Sequence, residues 1–231
     1  MNTHFHETLR SEKGFTLVEL AVVMVIIGLL IGGILKGQEM IENARVNSTI
    51  TQIKAVDAAS STFQDMYDAV PGDMINADVR VPNVTNNGDG NNRINGAPFV
   101  DPTAATDESV IFFEHIGGAD LLVGALSTNG ISADIRGAEI TVGQTTAVGG
   151  LGIGTNVKSG RYAVVAEQAG GPDTDGLTQA QAARIDRKLD DGDPTTGSVV
   201  ANEGTAGACG AAGGYEEADD TVSCSIAARI N

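Results

Sequence analysis

The chain has 231 residues, of which 42% are hydrophobic, and a net charge of -16. With a mean hydropathy near zero, this fits a folded body plus one membrane segment and excludes a disordered chain. The charge is uneven: five acids balance five bases up to Lys54, so the whole excess sits in residues 55–231, where 25 acids face 9 bases. Such a surface repels phosphate backbones, so direct nucleic-acid binding is not expected.

Residues 1–14, MNTHFHETLRSEKG, form a polar leader that ends in Lys13-Gly14 just before an apolar run. A basic, polar leader followed by a hydrophobic stretch directs a chain to the membrane with the leader on the cytoplasmic side. An ordinary secretory signal is cut after its apolar run, yet KGQEMIENARVNS, which follows Leu35, offers no convincing small-x-small site. The sharp boundary lies before the run, between Gly14 and Phe15.

From Leu20 to Leu35 no residue is ionisable, and Glu19 stands alone at the head of this stretch. An acid near the middle of a spanning helix costs about 2.5–3.5 kcal/mol, so it needs a partner. A cut after Gly14 would give Phe15 a free amine with a reference pKa of about 7.7–8.0. Glu19 is four residues on, about 6 Å along a helix axis. Two placements lower the cost of the carboxylate: the positive end of its own helix, or the amine of a neighbouring chain. The sequence leaves both open.

Gly14, Phe15, the following Thr-Leu-Val, Glu19 and the apolar run resemble, position by position, the N-terminus of type IV pilins and type II secretion pseudopilins. The resemblance implies cleavage after Gly14 by a membrane-embedded prepilin peptidase and N-methylation of Phe15. It also implies that Glu19 meets the amino terminus of a neighbouring subunit during assembly into a filament. The partners implied are further copies of the chain, other pilin-like subunits, the inner-membrane assembly platform and, before assembly, membrane lipid. One departure is that GLLIGGILK, residues 28–36, has no proline where many such pilins carry one. Gly28, Gly32 and Gly33 can loosen a helix instead, each costing about 1 kcal/mol relative to Ala.

Beyond Lys36, the residues Val46, Ile50, Ile53, Val56, Ser60, Phe63 and Tyr67 recur at spacings of three and four. That pattern predicts an amphipathic helix with one buried stripe, ended by Pro71-Gly72. A single helix from Phe15 to Tyr67 is expected; the alternative is two helices broken near Gly32 and Gly33. The stretch NNGDGNN, residues 86–92, reads as an Asx-rich turn, since a full calcium loop needs more carboxylates and a distal Glu. DESVIFFEHI, from Asp107 to Ile116, reads as a short helix, with His115 as a structural imidazole near Phe112, Phe113 and Ile116.

AEITV from Ala138 and RYAVVAEQ from Arg161 are short, β-branched stretches that suit an antiparallel sheet. QAQAARIDRKL, following Thr178, predicts a second helix. Its end gathers Asp186, Asp190, Asp191 and Asp193. They read as a solvated helix end and an Asp-Gly turn leading into a strand, with a cation site for Ca2+ as the alternative. Thr221 to Ile226 predicts an edge strand. Cys209 and Cys224 have neither CxxC spacing nor a nearby His, so a structural disulfide is expected in an oxidising compartment.

No catalytic constellation stands out: His4 and His6 lie in the leader, His115 is alone, and GxSxG, phosphate-loop and HExxH patterns are absent. The expected architecture is α+β and pilin-like: leader 1–14, apolar helix 15–35, amphipathic helix 36–67, and a head over 68–231 with an antiparallel sheet. The head is expected outside the inner membrane, then on a filament reaching the cell surface. A pseudopilin shares every one of these features. A membrane-tethered carbohydrate- or surface-binding protein would explain the acidic loops but neither Glu19 nor Gly14-Phe15, and a tethered hydrolase lacks a nucleophile-base pair.

Overall fold

The computed structural model describes residues 14–95, 107–122, 130–135, 137–145, 158–167, 176–201, 209, 214–218 and 222–231. The leader up to Lys13 lies outside the described residues. The chain divides into two compact units, residues 1–43 and 44–231.

Helix α1 (Leu17–Tyr67) has 51 residues and runs without a break through Gly28, Gly32 and Gly33. Nothing lies within 4 Å of where a Cβ would stand on these three glycines, so they mark no close packing within the chain. In the second unit α1 buries one stripe: Val46, Thr49, Ile50, Ile53, Val56, Ala59, Ser60 and Phe63. Fully burying a large apolar side chain is worth about 1.5–3 kcal/mol, so tertiary packing rather than propensity holds this part of the helix. Tyr67, expected in the stripe, is only partly buried; its ring lies tilted against Phe63 at 4.6 Å, with the Arg80 guanidinium 5.8 Å from its centre.

The stripe faces an antiparallel sheet of order β1-β2-β3-β7-β5. These strands are β1 (Ile131–Ser132), β2 (Ala138–Thr145), β3 (Gly160–Glu167), β5 (Val199–Ala201) and β7 (Ile226–Ile230). Period-two alternation splits the side chains between two clusters. Ile140, Val142, Ala163, Val165, Ile226 and Ala228 join the core with α1, while Tyr162, Val164, Ala166, Val200 and Ala227 form a second cluster on the opposite face. A separate two-stranded ladder pairs β4 (Leu177–Thr178) with β6 (Val222–Cys224).

The end of the chain differs from the sequence expectation. Instead of one edge strand over 221–226, Ser225 separates β6 from β7, and β7 lies inside the sheet between β3 and β5. Its sequence, IAARI, alternates around small residues that fit between two neighbours, a pattern too short to be read from periodicity alone.

Helices α2 (Ala77–Arg80), α3 (Glu108–Gly118) and α4 (Gln179–Leu189) complete the head. Thr178 caps α4: its Oγ1 accepts the Gln181 N–H at 3.2 Å while Gln181 Oε1 accepts the Thr178 N–H at 2.9 Å. Cys209 and Cys224 form a disulfide, and both are buried in the main core. The head contains no Trp and few other aromatic residues, so this covalent tie carries weight. Closing a loop of 15 residues is worth about 3 kcal/mol. Replacing both cysteines by Ala is therefore expected to lower the free energy of unfolding of the head by about that amount, read from chemical denaturation with and without reductant.

Candidate functional site

The N-terminal segment holds the residues that the sequence analysis singles out. Gly14, Phe15 and Thr16 precede α1 outside any regular element, and the Phe15 side chain is 83% exposed. Every large apolar residue from Leu17 to Leu35 is exposed within the chain. This part of α1 is long and apolar enough to cross a membrane.

Thr16 is the functional neighbour that sequence reasoning missed. Its carbonyl accepts the Leu20 N–H at 3.2 Å, opening the helix. Its Oγ1 accepts the Glu19 N–H at 3.2 Å, and Glu19 Oε2 reaches back to the Thr16 N–H at 2.8 Å and hydroxyl at 2.9 Å. This is a reciprocal capping box, and the pattern T-x-x-E was its signal in the sequence. Of the two placements open to Glu19, the chain by itself takes the first: the carboxylate sits on its own helix start. Both bonds use Oε2. No bond from a described residue to Oε1 accompanies them.

Residues 9–35 match the family described as the prokaryotic N-terminal methylation motif. The chain carries the type IV pilin and pseudopilin signature. No curated protein matches the chain, and no solved structure does. With that motif the N-terminus is that of a pilin-like precursor, consistent with membrane anchoring through α1. The motif marks structural subunits, and it implies processing by a prepilin peptidase and assembly with other pilins.

Among the described residues, two groups of three carboxylates come together. Asp186, Asp190 and Asp191 have carboxylate oxygens within 4.8 Å of one another; Asp193 stands in the adjoining turn, where its Oδ1 accepts the Thr195 N–H and hydroxyl. The second group, Asp73, Asp89 and Glu108, draws Asp89 of NNGDGNN together with two residues distant in sequence. Three carboxylates at this spacing can hold a cation or close a turn. The bonds present are those of turns. Asp190 Oδ2 accepts the Ser198 and Val199 N–H groups, Asp191 accepts from Asp193 and Thr196, and Asp73 accepts from Asn91 and Asn92. Gly197 has a positive φ, and a Cβ there would collide with the Asp190 carboxylate, so the turn requires glycine.

Asp186 is fully buried on α4, accepting the Tyr215 hydroxyl at 2.8 Å and the Gly192 N–H at 3.2 Å. Burial, opposed by these two bonds, pushes its pKa up from 3.8 to about 6. Its folded value lies above its unfolded one, so its favourable contribution is complete below pH 3.8 and is lost as pH rises through about 6. Asp186→Asn is expected to remove this slope. The melting temperature difference between pH 5 and pH 7.5 should change by the equivalent of about 1–3 kcal/mol, measured by calorimetry on both proteins.

Proposed function

We propose that the chain is the precursor of a structural subunit of a type IV pilus-like filament, a major or minor pilin. The match of residues 9–35 to the methylation motif carries this reading. The exposed apolar half of α1 and the single engaged oxygen of Glu19 support it. After the cut at Gly14-Phe15, the subunit rests in the inner membrane through α1 with its acidic head on the periplasmic side. Assembly moves α1 from lipid to a bundle of like helices, exchanging one apolar environment for another, so a polar contact is what fixes register. Glu19 Oε1 meets the Phe15 amine of an adjacent copy while Oε2 keeps the capping box closed. The heads form the acidic outer surface. A type II secretion pseudopilin would use the same helix in the same way; recovery in sheared surface filaments supports the pilin, and recovery only with a secretion complex supports the pseudopilin.

Glu19→Gln separates the two uses of the side chain, because an amide oxygen closes a capping box but carries no charge. Insertion and leader cleavage are expected to be unchanged, while filament yield drops at least tenfold in shearing assays. Normal filaments from this variant would overturn the pairing. Gly14→Val is expected to leave the leader attached, so that the intact mass retains residues 1–14 and no methyl group appears on Phe15. A wild-type protein that itself retains Met1 would defeat the processing scheme and favour a plain membrane anchor.

A further inference from the structure

Helix α3 grips the chain between α1 and the Asx-rich turn through three side chains. Glu114 Oε1 accepts the Thr85 and Asn86 N–H groups, and Asn86 Nδ2 bonds to its Oε2 at 2.7 Å. Glu108 accepts the N–H groups of Asp89 at 2.9 Å and Asn95 at 2.6 Å. His115, fully buried, accepts the Gly72 N–H on Nδ1 at 2.9 Å, and its Nε2 lies 3.0 Å from the Asn86 carbonyl oxygen. The neutral tautomer with its proton on Nε2 satisfies both partners. The ring stacks over Phe63 of α1 at 5.9 Å, so one imidazole joins α1, the Pro71-Gly72 turn and the loop at Asn86. Gly72 lies close against α3 at φ +90°, where a Cβ would meet the Glu108 carbonyl oxygen at 2.5 Å, so this approach requires glycine.

The gripped segment has its own small core. Phe63, Met74, Ala77, Val81 and Val84 form a cluster separate from the one under the sheet, whereas Val70 and Ile94 belong to the main core. Residues 71–93 thus hang between two anchors with a satellite cluster and the α3 bonds to hold them.

We propose that His115 is an acid-labile latch, whose protonation releases residues 71–93 from α3 while the sheet stays folded. A protonated imidazole carries N–H on both nitrogens, so Nδ1 then points a donor at the Gly72 donor and the bond becomes a repulsion. Burial holds the His115 pKa below its ordinary value, opposed by the Asn86 bond and the charge of Glu114. Glu114, on its own helix, is the charge that acts on it; α1 meets the ring with the uncharged Phe63. Across from α3, Asp73 and Asp89 of the loop are engaged by the N–H groups of Asn91 and Asn92, and Glu108 by those of Asp89 and Asn95. Because the closed state binds His115 without its second proton and the open state accepts it near the reference pKa of about 6.5, the latch is intact above that pH. It weakens as pH falls toward the folded value.

The experiment is hydrogen exchange with mass spectrometry on the full-length protein in detergent micelles, from pH 7.5 to 4.5, corrected for the intrinsic pH dependence of exchange. One proton limits the rise in the opening constant of residues 71–93 to about tenfold per pH unit, beginning below about pH 6.5. Amides of Ala163–Ala166 in β3 are expected to hold steady over the same range. A flat profile in 71–93, or a rise shared equally by β3, overturns the latch, and the wild-type profile decides this without any variant. His115→Gln, whose amide can accept the Gly72 N–H and donate to the Asn86 carbonyl but does not titrate in this range, should abolish the step; a step that persists in that variant also overturns the proposal.

Discussion

The first turn of α1 sets the terms for everything at the N-terminus. A helix that begins in an apolar environment leaves backbone N–H groups with no water to bond, and each one left unsatisfied costs several kcal/mol. Thr16 and Glu19 answer two of them reciprocally. The same carboxylate that is expensive beside an apolar run therefore helps the run to start as a helix, as caps do by about 0.5–2 kcal/mol. From that start α1 continues unbroken to Tyr67, carrying one surface suited to lipid or like helices and, beyond residue 43, a stripe suited to a sheet.

The head solves a different problem, that of folding an acidic, glycine-rich chain with no Trp. Its sheet has apolar side chains buried on both faces, and the segment between Val70 and Ile94 leans on a satellite cluster. Polar ties supply what apolar area does not. Carboxylates of Asp73, Glu108, Glu114 and Asp190 each accept backbone N–H groups of loop residues outside the helices and ladders, which pairs main-chain donors that no secondary structure satisfies. A head rich in acids thus uses part of its charge as structural acceptors rather than as surface. Two of the buried groups titrate in opposite senses: Asp186 favours acid and His115 favours neutrality.

Much of this was legible in the sequence, and the reasons are local. The stripe from Val46 to Phe63 repeats long enough for periodicity to fix both helix and buried face. The strands AEITV and RYAVVAEQ announce themselves through β-branched runs, and α4 begins at the Thr that precedes it. What stayed hidden depends on distance along the chain. The group of Asp73, Asp89 and Glu108, and the meeting of His115 with Gly72 and Asn86, join residues 16 to 43 positions apart, which no window of spacing detects. Strand β7 is only five residues with two alanines at its centre, and its place inside the sheet follows from tertiary pairing. The capping box at Thr16 is of a different kind: its signal, T-x-x-E, is local and present in the sequence, and the geometry of Thr16 and Glu19 matches it.

The chain contains its own comparison for that geometry. Helix α4 opens with the same device, Thr178 and a residue three positions on, and there the residue is Gln181. A neutral amide reaches the cap N–H at 2.9 Å, nearly the 2.8 Å that Glu19 attains at Thr16. Capping alone therefore does not call for a charge. α4 opens a polar stretch of the head, where a carboxylate at this position would be mildly favoured by the helix dipole; α1 opens an apolar run, where it is costly. The charged residue stands where it is least affordable by solvation and the neutral one where either would serve. The proposed filament subunit accounts for this inversion: there Glu19 answers to a cation beyond its own helix, and with Oε2 engaged by Thr16, Oε1 is the atom that would meet it.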